Sequence, residues 1–209
     1  MIAVAIMGCN PKCHNSKEYS LEPTPQERAA IQDLIIKSQT REIEFYMRPD
    51  QLKATDLSVY WLPAKPNEPS DWKQIESGTA NLISHGWHYA NPGEKDPIGS
   101  RNEMLRFDHI AVNADRTAAE VQTYEKWYCP VYDAQHKEVK AKNPVLGPYP
   151  VCYIILKAGT TWRVNYSTTP RPNRRRLITG IVITAAVMCA IVILLLLILY
   201  VRKYENSTI

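Results

Sequence analysis

The sequence lacks the short motifs by which most enzyme classes are identified. It contains no glycine-rich phosphate loop, no dinucleotide fingerprint, no Gly-x-Ser-x-Gly nucleophile motif and no His-Glu-x-x-His zinc motif. Each of these motifs places a reactive group or a phosphate-binding backbone at a fixed spacing, so their joint absence argues against the corresponding reactions. We therefore expect a protein that is not an enzyme and that carries no cofactor.

Glycine and phenylalanine are scarce, whereas proline, tyrosine and tryptophan are common. The chain has 8 glycines and 2 phenylalanines against 15 prolines, 12 tyrosines and 5 tryptophans, which indicates short regular elements joined by stiff loops. The clearest loops are 63–71 and 90–100. Such loops lie at the surface, and exposed aromatic rings beside them supply contact area at low entropic cost. We predict a partner-binding surface there that includes Trp72, Trp87 and Tyr89, although Trp87 fits a core position equally well.

A strong charge of one sign is also missing from most of the chain. The net charge of +4 comes from basic residues near the C-terminus, so the remainder is close to neutral. A protein that binds nucleic acid needs a basic patch or stripe, and none is evident. The expected partners are instead a lipid bilayer and other proteins of a membrane-associated assembly.

A long apolar run is the most informative feature that is present. Residues 177–201 contain no charged side chain, and at about 1.5 Å per residue they could cross a hydrocarbon core of about 30 Å. We predict one transmembrane helix there. The predicted organisation is a main domain at 1–168, a proline- and arginine-rich stalk at 169–176, the membrane helix at 177–201 and a short tail at 202–209.

The basic residues beside this run predict its orientation. Four precede it and two follow it: Arg171, Arg174, Arg175 and Arg176, then Arg202 and Lys203. Because lysine and arginine favour the cytoplasmic side, the N-terminal domain is expected on the cytosolic or interior side of the membrane. Residues 1–7 are apolar but too short for a convincing signal peptide, and we interpret them as a buried strand. These features are typical of a tail-anchored, single-pass protein.

Two helices are predicted in the main domain. Thr24, Pro25 and Glu27 form a capping box with proline at the first helical position, and apolar spacing continues to about Thr40. A second helix is predicted from about residue 113 or 115 to 129, where a proline ends it.

The remaining patterns favour strands. They are predicted at residues 42–47, 57–62, 81–89, 105–112, 151–156 and 162–166, and the last two form a hairpin that turns at Gly159. Glu42 and Glu44 would share a solvent-facing side of an edge strand. The expected fold class is α+β, a mainly antiparallel, sandwich-like β domain with two helices.

The cysteines leave three alternatives open. Cys9, Cys13 and His14 could supply three zinc ligands, and Cys129 or Cys152 a fourth. The spacing is weak evidence, because no second cysteine pair accompanies it, so we commit to no metal site. Disulfide bonds among these four cysteines, or free thiols, explain the pattern as well, and free thiols are the usual state in the cytosol.

Three function classes remain, and the first is preferred. It is a membrane-anchored structural or assembly protein that ties a protein layer or complex to a membrane, as in a membrane-containing virion. The second is a single-pass receptor or a viral glycoprotein ectodomain that acts during cell penetration, in which the sequon at Asn165 could carry a glycan. The third is a membrane-tethered enzyme that uses the Cys9, Cys13 and His14 group.

Overall fold

The computed structural model describes residues 18 to 168, which belong to one unit running from Met1 to Pro170. The helices come first in the chain, and all the strands follow them. The helices are α1 (Pro25–Met47), α2 (Ala54–Leu57) and α3 (Asp71–His85), with a 3-10 turn at Pro49–Gln51. The strands are β1 (His88–Tyr89), β2 (Arg101–Val112), β3 (Ala118–Tyr128), β4 (Val131–Tyr132), β5 (Val145–Ala158) and β6 (Thr161–Thr168).

Helix α1 begins at the predicted capping box. The backbone N–H of Glu27 donates to Thr24 Oγ1 at 3.2 Å, and the backbone N–H of Thr24 donates to Glu27 Oε2 at 2.9 Å. The helix then runs for 23 residues, so the strand predicted at 42–47 is wrong. The segment is helical because its buried side chains keep a helical spacing, from Ile35 through Gln39 to Ile43 in steps of four.

Two other predicted strands are also wrong. Residue 57 ends the short helix α2, and the segment 57–62 reaches the sheet only through one isolated bridge, between Trp61 and Val164. The backbone groups of Tyr60 and Leu62 make its hydrogen bonds to Val164. The segment 81–89 is mostly the end of α3, which stops where Gly86 adopts a left-handed φ of 63° and donates its N–H to Ile83. Only β1 remains of the predicted strand.

The predicted second helix is one of the two inner strands of the sheet. The side chain of Asn113 accepts N–H groups from Thr117 at 2.9 Å and Ala118 at 3.0 Å, and this forms a turn where a helix start was expected. Strand β3 follows and pairs with β2 on one side and β5 on the other. Pairing on both edges outweighs the helical propensity of its alanine and glutamate residues.

One four-stranded antiparallel sheet, in the order β2-β3-β5-β6, dominates the described residues. The predicted strand at 105–112 and the hairpin around Gly159 are confirmed within it. The α+β class and the antiparallel pairing are confirmed, but the sandwich and the count of two helices are wrong. In place of a second large sheet, α1 and α3 cover the sheet, with a small ribbon of β1 and β4. The shared core contains Ile31, Ile35, Trp61, Ile75, Val121, Ile155 and Val164.

No helix among residues 18 to 168 is long and apolar enough to cross a membrane. The segments predicted as N-terminal strand, stalk, membrane helix and tail lie outside the described residues. Their assignments remain predictions from the sequence.

Candidate functional site, a cavity lined by carboxyl and aromatic groups

A cavity of about 390 Å³, partly open to solvent, lies between α1 and the sheet. Its wall combines carboxyl groups, aromatic rings, aliphatic groups and a few uncharged polar or thiol groups. The lining residues are Glu42, Ile43, Tyr46, Gln74, Tyr89, Glu125, Trp127, Cys129, Leu146, Tyr149, Val151, Tyr153, Ser167 and Thr168.

The regular spacing of helix and strand directs these side chains to the same place. Glu42 and Tyr46 are four residues apart in α1, so they lie one above the other on a single helix face. Glu125 and Trp127 are two residues apart in β3, and Tyr149 and Tyr153 are four apart in β5. Side chains an even number of positions apart in a strand project from the same face, so each pair faces one side of the sheet. The cavity is where these two faces meet.

Glu125 is the most buried carboxyl group of the wall, with 1% of its surface exposed. Its Oε1 accepts hydrogen bonds from Gln39 Nε2 at 2.9 Å, Tyr153 Oη at 2.8 Å and Thr123 Oγ1 at 2.5 Å. Its Oε2 accepts one from Trp127 Nε1 at 2.9 Å. Burial raises the pKa of Glu125, and these four donated hydrogen bonds oppose that rise. All four hydrogen-bond donors to this carboxyl group are uncharged side chains, so none of them neutralises a negative charge on it.

Glu42 has a more strongly altered acidity. Burial raises its pKa to about 8, and the negative charges of Asp71 and Glu125 add to the rise, while a hydrogen bond from Tyr46 opposes it. The residue as a whole is half-buried, and it lines the cavity. The sequence-based expectation that Glu42 faces solvent from a strand is wrong, because the residue lies in a helix. Glu44, in contrast, is exposed and pairs with Arg41.

A third carboxyl group stands close to the first two. Asp71 is buried at the start of α3, and its Oδ1 accepts the backbone N–H of Ser167 at 2.6 Å. Burial raises the pKa of Asp71 to about 6, the hydrogen bond from Ser167 lowers it, and the charge of Glu125 raises it. Three acidic groups therefore influence each other across α1, α3 and β3.

No lysine, arginine or histidine is among the cavity-lining residues that the structure describes. The aromatic part of the wall includes Tyr46 and Tyr89, whose ring centroids are 5.1 Å apart. Aromatic faces and carboxylates both attract cations, and both act more strongly where water is partly excluded. The cavity is chemically suited to a positively charged group.

The cysteines in the described region are in two different states. Cys129 is a buried free thiol in the cavity wall, and burial raises its pKa to about 12, so it is not a reactive thiolate at neutral pH. Cys152 is disulfide-bonded, and its partner is not among residues 18 to 168. The candidate metal ligands Cys9, Cys13 and His14 also lie outside that range, as do Arg171, Arg174, Arg175, Arg176, Arg202 and Lys203.

The structure does not bring the three predicted partner-binding residues together. Trp72 lies in the first turn of α3 and Trp87 follows the end of that helix, whose 15 residues span about 20 Å. Trp72 packs against the core and donates from Nε1 to Glu76 at 2.8 Å, while Trp87 stacks on His85 at 4.4 Å. Only Tyr89 reaches the cavity. Whether Trp72 or Trp87 contacts a partner remains a prediction.

Sequence reasoning missed the acidic and aromatic wall. The local signal was the alternation of polar and aromatic residues at Thr123, Glu125 and Trp127, and again at Tyr149 and Tyr153. The helical pattern predicted from about residue 113 or 115 to 129 hides this signal, because residues two apart in a helix do not share a face.

Comparisons with known proteins support the fold alone. No family model matches the chain, and no curated protein matches it. The intermembrane space region of the chloroplast protein ARC6 is similar in structure, with a TM-score of 0.51 and 16% identity over 72% of this chain and 100% of that chain. Aln2 from a Streptomyces species has a TM-score of 0.41 and 14% identity over 77% and 98% of the two chains. The ARC6 region supports the α+β architecture with a mostly antiparallel sheet.

Proposed function

We propose that this chain is a non-enzymatic, membrane-anchored binding protein that ties a partner protein to a membrane. In this proposal the cavity receives a lysine or arginine side chain of the partner, and the apolar run at 177–201 anchors the chain. The observation that carries the proposal is the cavity wall, in which Glu42 and Glu125 stand among aromatic rings with no basic residue among the described lining side chains.

The energetics of the cavity favour a cationic occupant. Burial resists the charging of Glu42, as its raised pKa shows, so an entering cation would supply the missing counter-charge. Tyrosine and tryptophan faces would add cation–π attraction of about 0.5–2 kcal/mol. A volume of about 390 Å³ is near the lower end of ligand cavities, which span about 300–1,000 Å³. One long side chain suits this volume better than a large cofactor.

We prefer a binding role to catalysis because of the chemical groups in the described cavity wall. Cys129 is the one thiol in the described wall, and its pKa of about 12 makes it a poor nucleophile. The short stalk expected at 169–176 would keep the domain close to the bilayer, so its partner would belong to the same membrane-associated assembly.

The cavity is tested by titrating the full chain, in detergent micelles, with butylguanidinium, butylammonium and neutral pentanamide. The readout is the NMR signal of the Trp127 indole N–H, assigned with Trp127→Phe, because this group donates to Glu125 inside the wall. Both cations should shift the signal with saturation, and the neutral amide should not. Glu42→Gln should weaken cation binding at least fivefold, whereas the exposed control Glu44→Gln should leave it unchanged. Equal shifts with pentanamide, or unchanged binding by Glu42→Gln, would refute the cationic site.

The anchor is tested separately. The full chain should remain with membranes after alkaline carbonate extraction, and deletion of residues 177–201 should release it. Release of the intact chain would show that the apolar run does not anchor the protein.

A receptor or glycoprotein ectodomain is the second candidate, and the disulfide at Cys152 favours it. Disulfides persist in oxidising compartments and are rare in the cytosol, so this bond argues for a domain outside the cytosol. Protease digestion of sealed membrane vesicles distinguishes the orientations, and a glycan on Asn165 would establish the external one. The enzyme alternative depends on Cys9, Cys13 and His14, which lie outside the described residues.

A further inference from the structure

A cluster of metal-ligating groups joins three separate segments beside the small β1–β4 ribbon. It consists of His88 in β1, Glu94 in the loop 90–100 and His136 in the turn after β4. One ligating atom from each residue lies within 4.8 Å of the others. Glu94 Oε2 is 3.4 Å from His88 Nε2 and 3.4 Å from His136 Nδ1.

These two distances fit shared metal ligands better than hydrogen bonds. An N–H···O bond has its usual length near about 2.9–3.0 Å, so 3.4 Å is long for one. In a tetrahedral zinc site with bonds of about 2.0–2.1 Å, neighbouring ligand atoms are about 3.3–3.4 Å apart. The carboxylate oxygen therefore already stands at zinc-ligand spacing from both histidines.

We propose that His88, Glu94 and His136 form a zinc site with three protein ligands and a fourth position for water or a partner's ligand. Two imidazoles and one carboxylate are a donor set that Zn²⁺ accepts, whereas Ca²⁺ and Mg²⁺ prefer oxygen ligands throughout. The proposal does not depend on the cation-binding cavity.

The backbone around the cluster holds the ligands in place. His88 pairs with Tyr132 across the ribbon, and 14% of its side chain is exposed. The turn that carries His136 is closed by hydrogen bonds to Asp133, from the backbone N–H of His136 at 2.9 Å and from that of Lys137 at 2.9 Å. The two imidazole rings are 5.4 Å apart and nearly perpendicular, at 80°.

A hydrogen bond to its other oxygen also orients the Glu94 carboxylate. Asn91 Nδ2 donates to Glu94 Oε1 at 3.2 Å, which leaves Oε2 to face the histidines. Such contacts to the second ligand oxygen orient many metal-binding carboxylates. Bound zinc would fix the loop 90–100 against the ribbon, and the neighbour of His88 in sequence, Tyr89, lines the cavity.

The test is zinc titration of the full chain in detergent micelles after removal of metal with a chelator. Isothermal titration calorimetry gives the affinity and stoichiometry, and Co²⁺ in place of zinc gives a visible absorption whose intensity reports tetrahedral geometry. His88→Ala, Glu94→Gln and His136→Asn should each weaken zinc binding at least tenfold. Asparagine suits position 136 because the residue has a left-handed φ of 54°. His109→Gln, at an exposed position of β2 away from the cluster, is the matched control and should bind zinc normally.

Two results would overturn the proposal. One is the absence of saturable zinc binding by the parent chain. The other is zinc binding that survives Glu94→Gln, a variant that keeps the size of the side chain and whose fold circular dichroism can verify. Binding that disappears in Cys9→Ser with Cys13→Ser, yet persists in the histidine variants, would place the zinc elsewhere and equally refute this site.

Discussion

The phenol of Tyr153 donates a hydrogen bond of 2.8 Å to the carboxyl group of Glu125, across the neighbouring strands β5 and β3. Both side chains are buried in the cavity wall. We predict that Tyr153→Phe lowers the free energy of unfolding by about 1.5–3 kcal/mol, because it removes one donor to a buried carboxyl group. Chemical denaturation followed by tryptophan fluorescence measures this loss.

The matched control for that change is Tyr124→Phe. Tyr124 lies on β3 and its ring is 4.9 Å below the guanidinium of Arg106, a contact that phenylalanine keeps. This variant should change stability by less than about 0.5 kcal/mol, because the half-buried ring and its contact with Arg106 are kept. Equal losses in the two variants would show that the phenol of Tyr153 does not matter for stability.

Glu42 makes the folded state sensitive to pH. Its pKa is about 8 in the folded protein against an unperturbed value of 4.5, so the folded state holds this proton more tightly than the unfolded state. The resulting stabilisation is complete below about pH 4.5 and is lost as pH rises to about 8, at on the order of 1 kcal/mol per pH unit. Glu42→Gln, which mimics the protonated form, should flatten the stability profile between pH 6 and 8. Glu44→Gln should leave the slope unchanged, and a parent profile without slope there would contradict the prediction.

Cation binding should have the opposite pH dependence. An entering cation favours the ionised form of Glu42, so binding expels the proton that this group holds below pH 8. The affinity for butylguanidinium should therefore rise from pH 6 to pH 8, by up to about tenfold per unit, since one proton is released. Titrations in two buffers of different ionisation enthalpy count that proton. A pH-independent affinity in the parent chain would exclude Glu42 as the responding group.

Trp72 should matter more for stability than Trp87. Trp72 packs against the core, whereas Trp87 stacks on exposed His85 beneath Lys142. We expect Trp72→Ala to cost roughly 2–3 kcal/mol, less than the about 3–5 kcal/mol of a fully buried ring. Trp87→Ala should cost about 1 kcal/mol or less. Loss of partner binding by a stably folded Trp72→Ala variant would instead support the surface role that the sequence suggested.

Gly147 is required beside the cavity because two strands approach closely there. Its φ is 93°, and a Cβ atom built on it would lie 2.5 Å from the backbone oxygen of Glu125. Gly147→Ala should therefore cost at least about 3 kcal/mol, from backbone strain and this clash, and should weaken cation binding. Gly159→Ala is the control, because its φ of 64° is similar but nothing lies within 4 Å. It should cost only about 1–2 kcal/mol. Thermal unfolding of both variants compares these costs.

Local sequence determined the elements whose contacts are local. Thr24 and Glu27 are three residues apart and cap α1 through each other, so the start of that helix was predictable. The hairpin of β5 and β6 was predictable for the same reason, since Gly159 supplies its left-handed turn. The composition of the apolar run at 177–201 alone predicts a membrane helix, although the run lies outside the described residues.

Tertiary structure decided strand β3 and the cavity. Strand β3 pairs with β2 through the local turn at Asn113, but its other edge is paired by β5, which follows in the chain only after β4. The cavity needs Gln39 and Glu125, which are 86 positions apart, to meet at hydrogen-bonding distance. The acidity of Glu42 likewise depends on burial and on the charge of Asp71, which belongs to another helix. Helix capping and turn formation involve residues a few positions apart, so they can be predicted from the sequence. Pairing with a distant strand, burial and charge coupling arise only once distant segments are packed together.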